Sequence, residues 1–161
     1  MAYLLDSDVF IQAKNLHYGF DFCPAFWDWI EQQRQPAAVL SIEKVRDELL
    51  AGGDDLATWA QQHGDDFFIK PDAAVLPSLR AASAWASGAG YEPAAVNIFL
   101  QAADYYLVAA AHAGNHVVVT HEVPSVSTKK IKIPDACIGL GVKCMSPFEM
   151  LRTARARFVL P

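Results

Sequence analysis

Short apolar runs that end on acidic residues alternate with longer stretches of helical period. Tyr3-Leu4-Leu5 is such a run, closed by Asp6, and its length and continuity predict a buried central strand. Ser7 or Asp8 is placed to cap a following helix through Val9, Phe10 and Ile11. Pro24 to Gln35 opens on proline and repeats Phe26, Trp27, Trp29 and Ile30 over a broad face, predicting a helix wedged between other elements or used for association. Ala38-Val39-Leu40-Ser41 leads into a helix that starts at or beside Ser41 and stops at Gly52-Gly53, and Asp54 or Asp55 opens the next, through Trp59 to His63. Asp66 to Ile69 reads as a short strand or an extended connector. Ala73 to Ala86 reads as an alanine-rich helix interrupted early by Pro77. Glu92 to Ala113 is the longest helical stretch and so apolar that it should lie buried at the centre. Gly114-Asn115 turns the chain into a second buried strand, His116–Glu122. Val142–Met145 reads as a third strand, and a final helix runs from Phe148 to Arg157.

Strands alternating with helices in this order predict a three-layer α/β/α domain around a mostly parallel sheet. At 161 residues and 53% hydrophobic, the chain suits one domain, and a division would leave two marginal cores. The apolar run Ala102–Ala113 is interrupted by Asp104 and His112 and is too short for a bilayer, so no membrane association is expected. The N-terminus lacks a basic leader, and Cys23, Cys137 and Cys144 are odd in number and scattered. A cytoplasmic protein with reduced thiols is the expectation, with Cys137 and Cys144 as core residues. Net charge is −5, which disfavours a broad nucleic-acid face. Yet Lys129 to Arg157 holds seven basic and two acidic residues, leaving room for a local one.

The candidate chemistry is acidic. Asp6 and Glu122 stand at the C-terminal ends of two strand-like runs, where open parallel sheets bind ligands, and Asp8 lies beside Asp6. Asp104 interrupts an apolar helix among Leu100, Ala103, Leu107 and Val108. A buried carboxylate there needs a partner, and a hard cation shared with Asp6 would supply one. Each acid also has a structural reading. Asp6 or Asp8 would serve as a helix cap, Glu43 would match a helix dipole, Glu122 would be a solvated strand end, and Asp104 would pair with an arginine such as Arg80. Alternation along the second strand would turn His121 away from Glu122.

The runs YLLDSDVFIQAKN, FCPAFWDWI, VLSIEKVRDEL, QAADYYLVAAAHAGNHVVVTHE and KIKIPDACIGLGVKC resemble PIN domains, and the similarity spans nearly the whole chain. More narrowly they resemble the DUF4411 branch of PIN-like proteins. The resemblance implies a divalent-metal-dependent ribonuclease, similar to the VapC-type toxins of type II toxin–antitoxin pairs. It matches Asp6 to the first-motif aspartate and Ser7 to the Ser/Thr after it. Asp8 stands where asparagine is usual. Glu43 is matched to the second-motif glutamate, Asp104 to the third-motif aspartate, and Thr120 to the threonine of the fourth motif, with Glu122 replacing its aspartate. Asp6, Glu43 and Asp104 would hold one Mg²⁺ or Mn²⁺. Glu122 with Asp135 or Asp8 would place a second, and whether Glu122 or Asp135 completes that position stays open. A metal-activated water would then attack the phosphodiester in line, leaving a 5′-phosphate.

The expected partners are RNA, gripped at its phosphates by Lys129, Lys130 and Lys132, and a cognate antitoxin. Exposed tryptophans would serve that antitoxin or a homodimer, whereas buried ones belong to the core. Two rival readings use the same residues. A catalytically silent PIN-fold module would bind RNA or protein without cleaving. A haloacid dehalogenase-type phosphatase would use Asp6 as a nucleophile, but the chain lacks well-placed companion Thr/Ser and Lys motifs and a cap.

Overall fold

The computed structural model describes all 161 residues. Five strands form one parallel sheet: β1 (Tyr3–Leu5), β2 (Val39–Ile42), β3 (Phe68–Ile69), β4 (Val117–Val119) and β5 (Cys144–Met145). Their spatial order is β3-β2-β1-β4-β5. The chain builds outward from β1 to β3, then crosses back to lay β4 on the other side of β1. The order therefore reverses between β1 and β4, and the crevice outside the C-terminal ends of these two strands is the sheet's switch point.

Nine α-helices flank the sheet: α1 (Ser7–Gln12), α2 (Pro24–Arg34), α3 (Glu43–Ala51), α4 (Asp55–Gln61), α5 (Leu76–Gly88), α6 (Pro93–Gln101), α7 (Ala103–Gly114), α8 (Ile133–Leu140) and α9 (Pro147–Thr153). The result is the three-layer α/β/α arrangement expected. A π-helical turn, Ala13–His17, continues α1, and a 3₁₀ turn, Ala73–Val75, precedes α5, whose Pro77 sits in the first turn, where no amide is lost. The central strands are buried on both faces and carry no polar alternation, as Leu4, Leu5, Val118 and Val119 show at 0% exposure. Trp27, Trp29 and Trp59 are buried in the same core as Phe10, Phe26 and Phe67, which accounts for the wide apolar face of α2 without an association surface.

Among the boundaries that differ from the sequence expectation, three are instructive. β2 runs through Ser41 to Ile42, and α3 starts only at Glu43. All four residues of β2 are buried, so its pattern alone does not separate a strand from a helix lead-in. The final helix stops at Thr153, before Arg155 with its positive φ of 56°.

The third difference bears on function. The stretch Glu92–Ala113 is two helices bent by 70° at Ala102, whose backbone is extended (φ −89°, ψ 157°). One straight helix there would run roughly 33 Å, far beyond a sheet whose strands are two to four residues long. The bend lets Ala95 and Phe99 of α6 bury together with Leu107, Val108 and Ala111 of α7. No single helix is long and apolar enough to cross a membrane.

Candidate functional site

The bend at Ala102 places Asp104 in the first turn of α7, where the helix dipole favours a carboxylate, and not in the middle of a helix. The other acids arrive from the sheet. Asp6 follows β1 directly and caps α1: its Oδ1 accepts the Ser7 amide at 2.8 Å, and its Oδ2 accepts from the Thr120 hydroxyl at 2.9 Å. Asp8, in the first turn of α1, accepts the His121 amide at 3.1 Å and lies 3.1 Å from the same Thr120 Oγ1. That hydroxyl also accepts the Glu122 amide at 3.1 Å. It has one proton to give and two carboxylates facing it, so it bonds one of them at a time unless an acid is protonated. Thr120 is thus the clip joining the ends of β1 and β4.

Electrostatics mark the same place. Asp6 is 4% exposed. Burial holds its carboxyl well above the usual range, reinforced by Asp8, Asp104 and Glu122 and opposed by the Thr120 hydrogen bond. Asp104 is pushed up to about 6, first by burial, then by Glu122 and Glu48, with Lys130 pulling the other way. None of the molecule's ion pairs includes Asp6, Asp8, Glu48, Asp104 or Glu122, so an Arg80 partner for Asp104 is excluded. Carboxylates gathered this way repel one another, and a bound cation would relieve that repulsion.

Two candidate residues fall elsewhere. Glu43 faces Lys70 at 3.8 Å and lines a separate cavity of about 170 Å³ with Ile69, Tyr106 and His116. The acid of α3 that acts on Asp104 is Glu48. A helical wheel offered this signal: Glu48 flanks the buried stripe of Val45 and Leu49, whereas Glu43 lies nearly opposite it. Asp135, in the first turn of α8, accepts the Ser125 amide at 3.0 Å and acts on Tyr91, so it is tied to the loop before α8. Glu122 has two attachments. It charges the site, and its Oε1 accepts the Ile133 amide at 2.9 Å, capping α8.

His121 and Glu122 face different neighbours. Strand alternation ends at Val119, and the chain past it turns the His121 ring onto His17, with centroids 5.5 Å apart and planes at 27°. Phe148 meets both rings edge-on, and Asp8 acts on His121, so an aromatic wall borders the acids. Of the three lysines, Lys130 is the one whose charge reaches Asp104; Lys129 is exposed and Lys132 half-buried beside it in sequence.

The acids can be tested against the divalent cation that the PIN resemblance implies. Their chemistry fits: hard oxygen donors, partly desolvated, at like charge and without a basic partner. As the side chains stand, no three Asp, Glu, His or Cys residues converge closely enough to enclose an ion, so binding would draw the carboxylates inward by rotation.

No curated protein and no solved structure matches the chain. Residues 3–158 match the model of a family described as a domain of unknown function, DUF4411, and the chain belongs to that family.

Proposed function

We propose that the chain is a divalent-metal-dependent endoribonuclease of the PIN type. The observation that carries this reading is a cluster of like-charged carboxylates, gathered round the buried Asp6 without an ion-pair partner, at the sheet's switch point. Asp6, Asp104 and Glu48 would hold a Mg²⁺ or Mn²⁺, with Asp8 and Glu122 beside them. A divalent ion, when bound, supplies Lewis acidity and charge neutralisation at the phosphate. The chain's own residues do the rest. Thr120 fixes the Asp6 and Asp8 carboxylates relative to each other. Burial around Asp6 excludes water from one side of the site. Lys130, within electrostatic reach of Asp104, meets the backbone phosphate without reading the base. The PIN resemblance extends the reading to the toxin of a type II toxin–antitoxin pair, held silent by a cognate antitoxin.

The test is incubation of the chain with a mixed RNA pool, with and without Mn²⁺ or Mg²⁺, alongside Asp104→Asn. Cleavage that needs the metal, leaves 5′-phosphates and disappears in the folded variant supports the proposal. Cleavage that leaves 2′,3′-cyclic phosphates contradicts it.

One observation favours a second reading. The acids do not converge on a common point, which suits a PIN-fold module that binds RNA or protein without cutting. That module would bind RNA equally well with and without metal and would leave it intact.

A further inference from the structure

The cavity that Glu43 lines lies apart from the clustered acids, since Asp6, Asp8, Glu48, Asp104 and Glu122 take no part in its walls. Ile42 and Ile69 stand at the C-terminal ends of β2 and β3, Val75 belongs to the 3₁₀ turn, and Tyr106, Ala110 and Ala113 share one face of α7 at helical spacing. The two alanines leave space that a longer side chain would fill. At about 170 Å³, the cavity is slightly larger than the roughly 150 Å³ that accepts one benzene ring. Polar groups are set among these walls. His116 Nδ1 accepts the Ala2 amide at 2.9 Å, and burial and the N-terminal ammonium favour the neutral ring, so the proton sits on Nε2. That N–H has no acceptor in the protein, and the ring lies against Gly114, where a Cβ would collide with it. Lys44 extends its ammonium over the Tyr106 ring, 4.9 Å from the centroid, and pairs with no carboxylate. The acids of the lining are committed: Glu43 faces Lys70 at 3.8 Å, and Asp72 accepts the Ala74 amide at 3.0 Å.

We propose that this cavity holds the base of a pyrimidine nucleotide in the RNA strand, with Lys44 on that nucleotide's phosphate. The proposal rests on the ribonuclease reading for its setting, and it names the base that the chain selects. One six-membered ring fills the space, whereas the fused rings of a purine exceed it. The apolar walls take the faces of the ring, and His116 Nε2–H donates to a carbonyl on its edge, which is how proteins read unstacked bases. A lining that carries both signs of charge suits a ring that is neutral overall and brings its own donors and acceptors. The unpaired ammonium of Lys44 suits the phosphate. The cavity and the acids are also neighbours along α3. Lys44 and Glu48 lie on one face of that helix, one turn and roughly 6 Å apart along its axis. Lys44 meets Tyr106 at the cavity, and Glu48 acts on Asp104, so a single strand spans both.

The test titrates free nucleoside 5′-monophosphates into the isotope-labelled full chain, with a chelator present, and follows the amide shifts by NMR. Uridine and cytidine monophosphate should give saturable shifts at Tyr106, Ala110 and His116, and should bind about 10-fold more tightly than the adenosine and guanosine compounds. Ala113 is exposed, so Ala113→Leu enters the cavity from the surface without disturbing the core, and it should abolish the shifts. Lys44→Gln, also at an exposed position, should weaken binding. Equal binding of purines, shifts centred on the clustered acids, shifts that survive Ala113→Leu, or no binding of any nucleotide would each overturn the proposal. The titration involves neither metal nor cleavage. A chain that binds pyrimidines and cuts no RNA therefore loses the ribonuclease reading alone, and one that cuts RNA without binding them loses the pyrimidine site alone.

Discussion

Asp6 and His63 are equally buried, each at 4% exposure, yet they sit in opposite electrostatic surroundings. His63 joins α4 to α2. One ring nitrogen meets the Glu31 carboxylate and the other lies 2.8 Å from Trp59 O. Around it, Arg46 donates to Ala60 O and His63 O at 3.1 and 2.9 Å, and Arg34 reaches Asp66 at 2.8 Å. Each of these charged groups faces an opposite charge or a carbonyl acceptor, although Arg34 Nε itself is buried without a partner. At the ends of β1 and β4, Asp6 meets Asp8, Asp104 and Glu122, all of its own sign. Burying a charge without an opposite partner costs several kcal/mol. The fold pairs its charges at the α2–α4 junction and leaves them unpaired at the switch point. The first pattern serves stability, and the second is the one the proposed metal site would use.

Substitutions should separate the two regions cleanly. Asp104→Asn is expected to lower metal-dependent cleavage by more than about 100-fold, since even groups that only orient a metal ligand are worth about 10- to 100-fold. The same variant should be more stable than the wild type in the absence of metal, on the order of 1–3 kcal/mol at neutral pH, because it removes a carboxylate held near pH 6. Glu31→Gln at the paired junction should do the reverse. Denaturant melts should show a loss of about 1–3 kcal/mol, with cleavage unchanged for the fraction that is folded. A stability loss in both variants would erase the distinction.

The pH dependence has a definite sign. Asp104 in the folded chain is raised from 3.8 to about 6, and Asp6 is raised as well. Between those values the native state holds more protons than the unfolded one, so their contribution to stability grows as pH falls from above 6 toward 4 and is lost as pH rises through 6. Mg²⁺ competes with those protons. Thermal melts with saturating Mg²⁺ should therefore show a larger rise in Tm at pH 7.5 than at pH 5, and an equal rise at both would detach the ion from these acids. A smaller effect separates the two acids of α3: Glu48→Gln should weaken metal binding, while Glu43→Gln should leave it unchanged. The smallest concerns Lys130. Its replacement by glutamine should weaken RNA binding and flatten the salt dependence by about one counterion.

Much of this site was legible in the chain. Asp6 and Glu122 could be placed because β1 and β4 are continuous apolar runs with acids at their ends, and Asp104 because it interrupts an apolar stretch. The bend at Ala102 was not legible. No proline or glycine marks it, and it follows from how far a helix can run over a short sheet. Glu43 drew attention through its place in the first turn, but which helix face meets α7 is decided by the burial of Val45 and Leu49. Glu122 and Asp135 both lie near α8, and only the hydrogen bonds to Ile133 and Ser125 show which loop each one ties down.

The most direct measurement is Mn²⁺ binding by calorimetry at pH 7.5 on the wild type, Asp104→Asn and Glu31→Gln. The account predicts saturable binding to the wild type and to Glu31→Gln, and its loss in a folded Asp104→Asn. Equal binding by all three proteins, or none by the wild type, would contradict it.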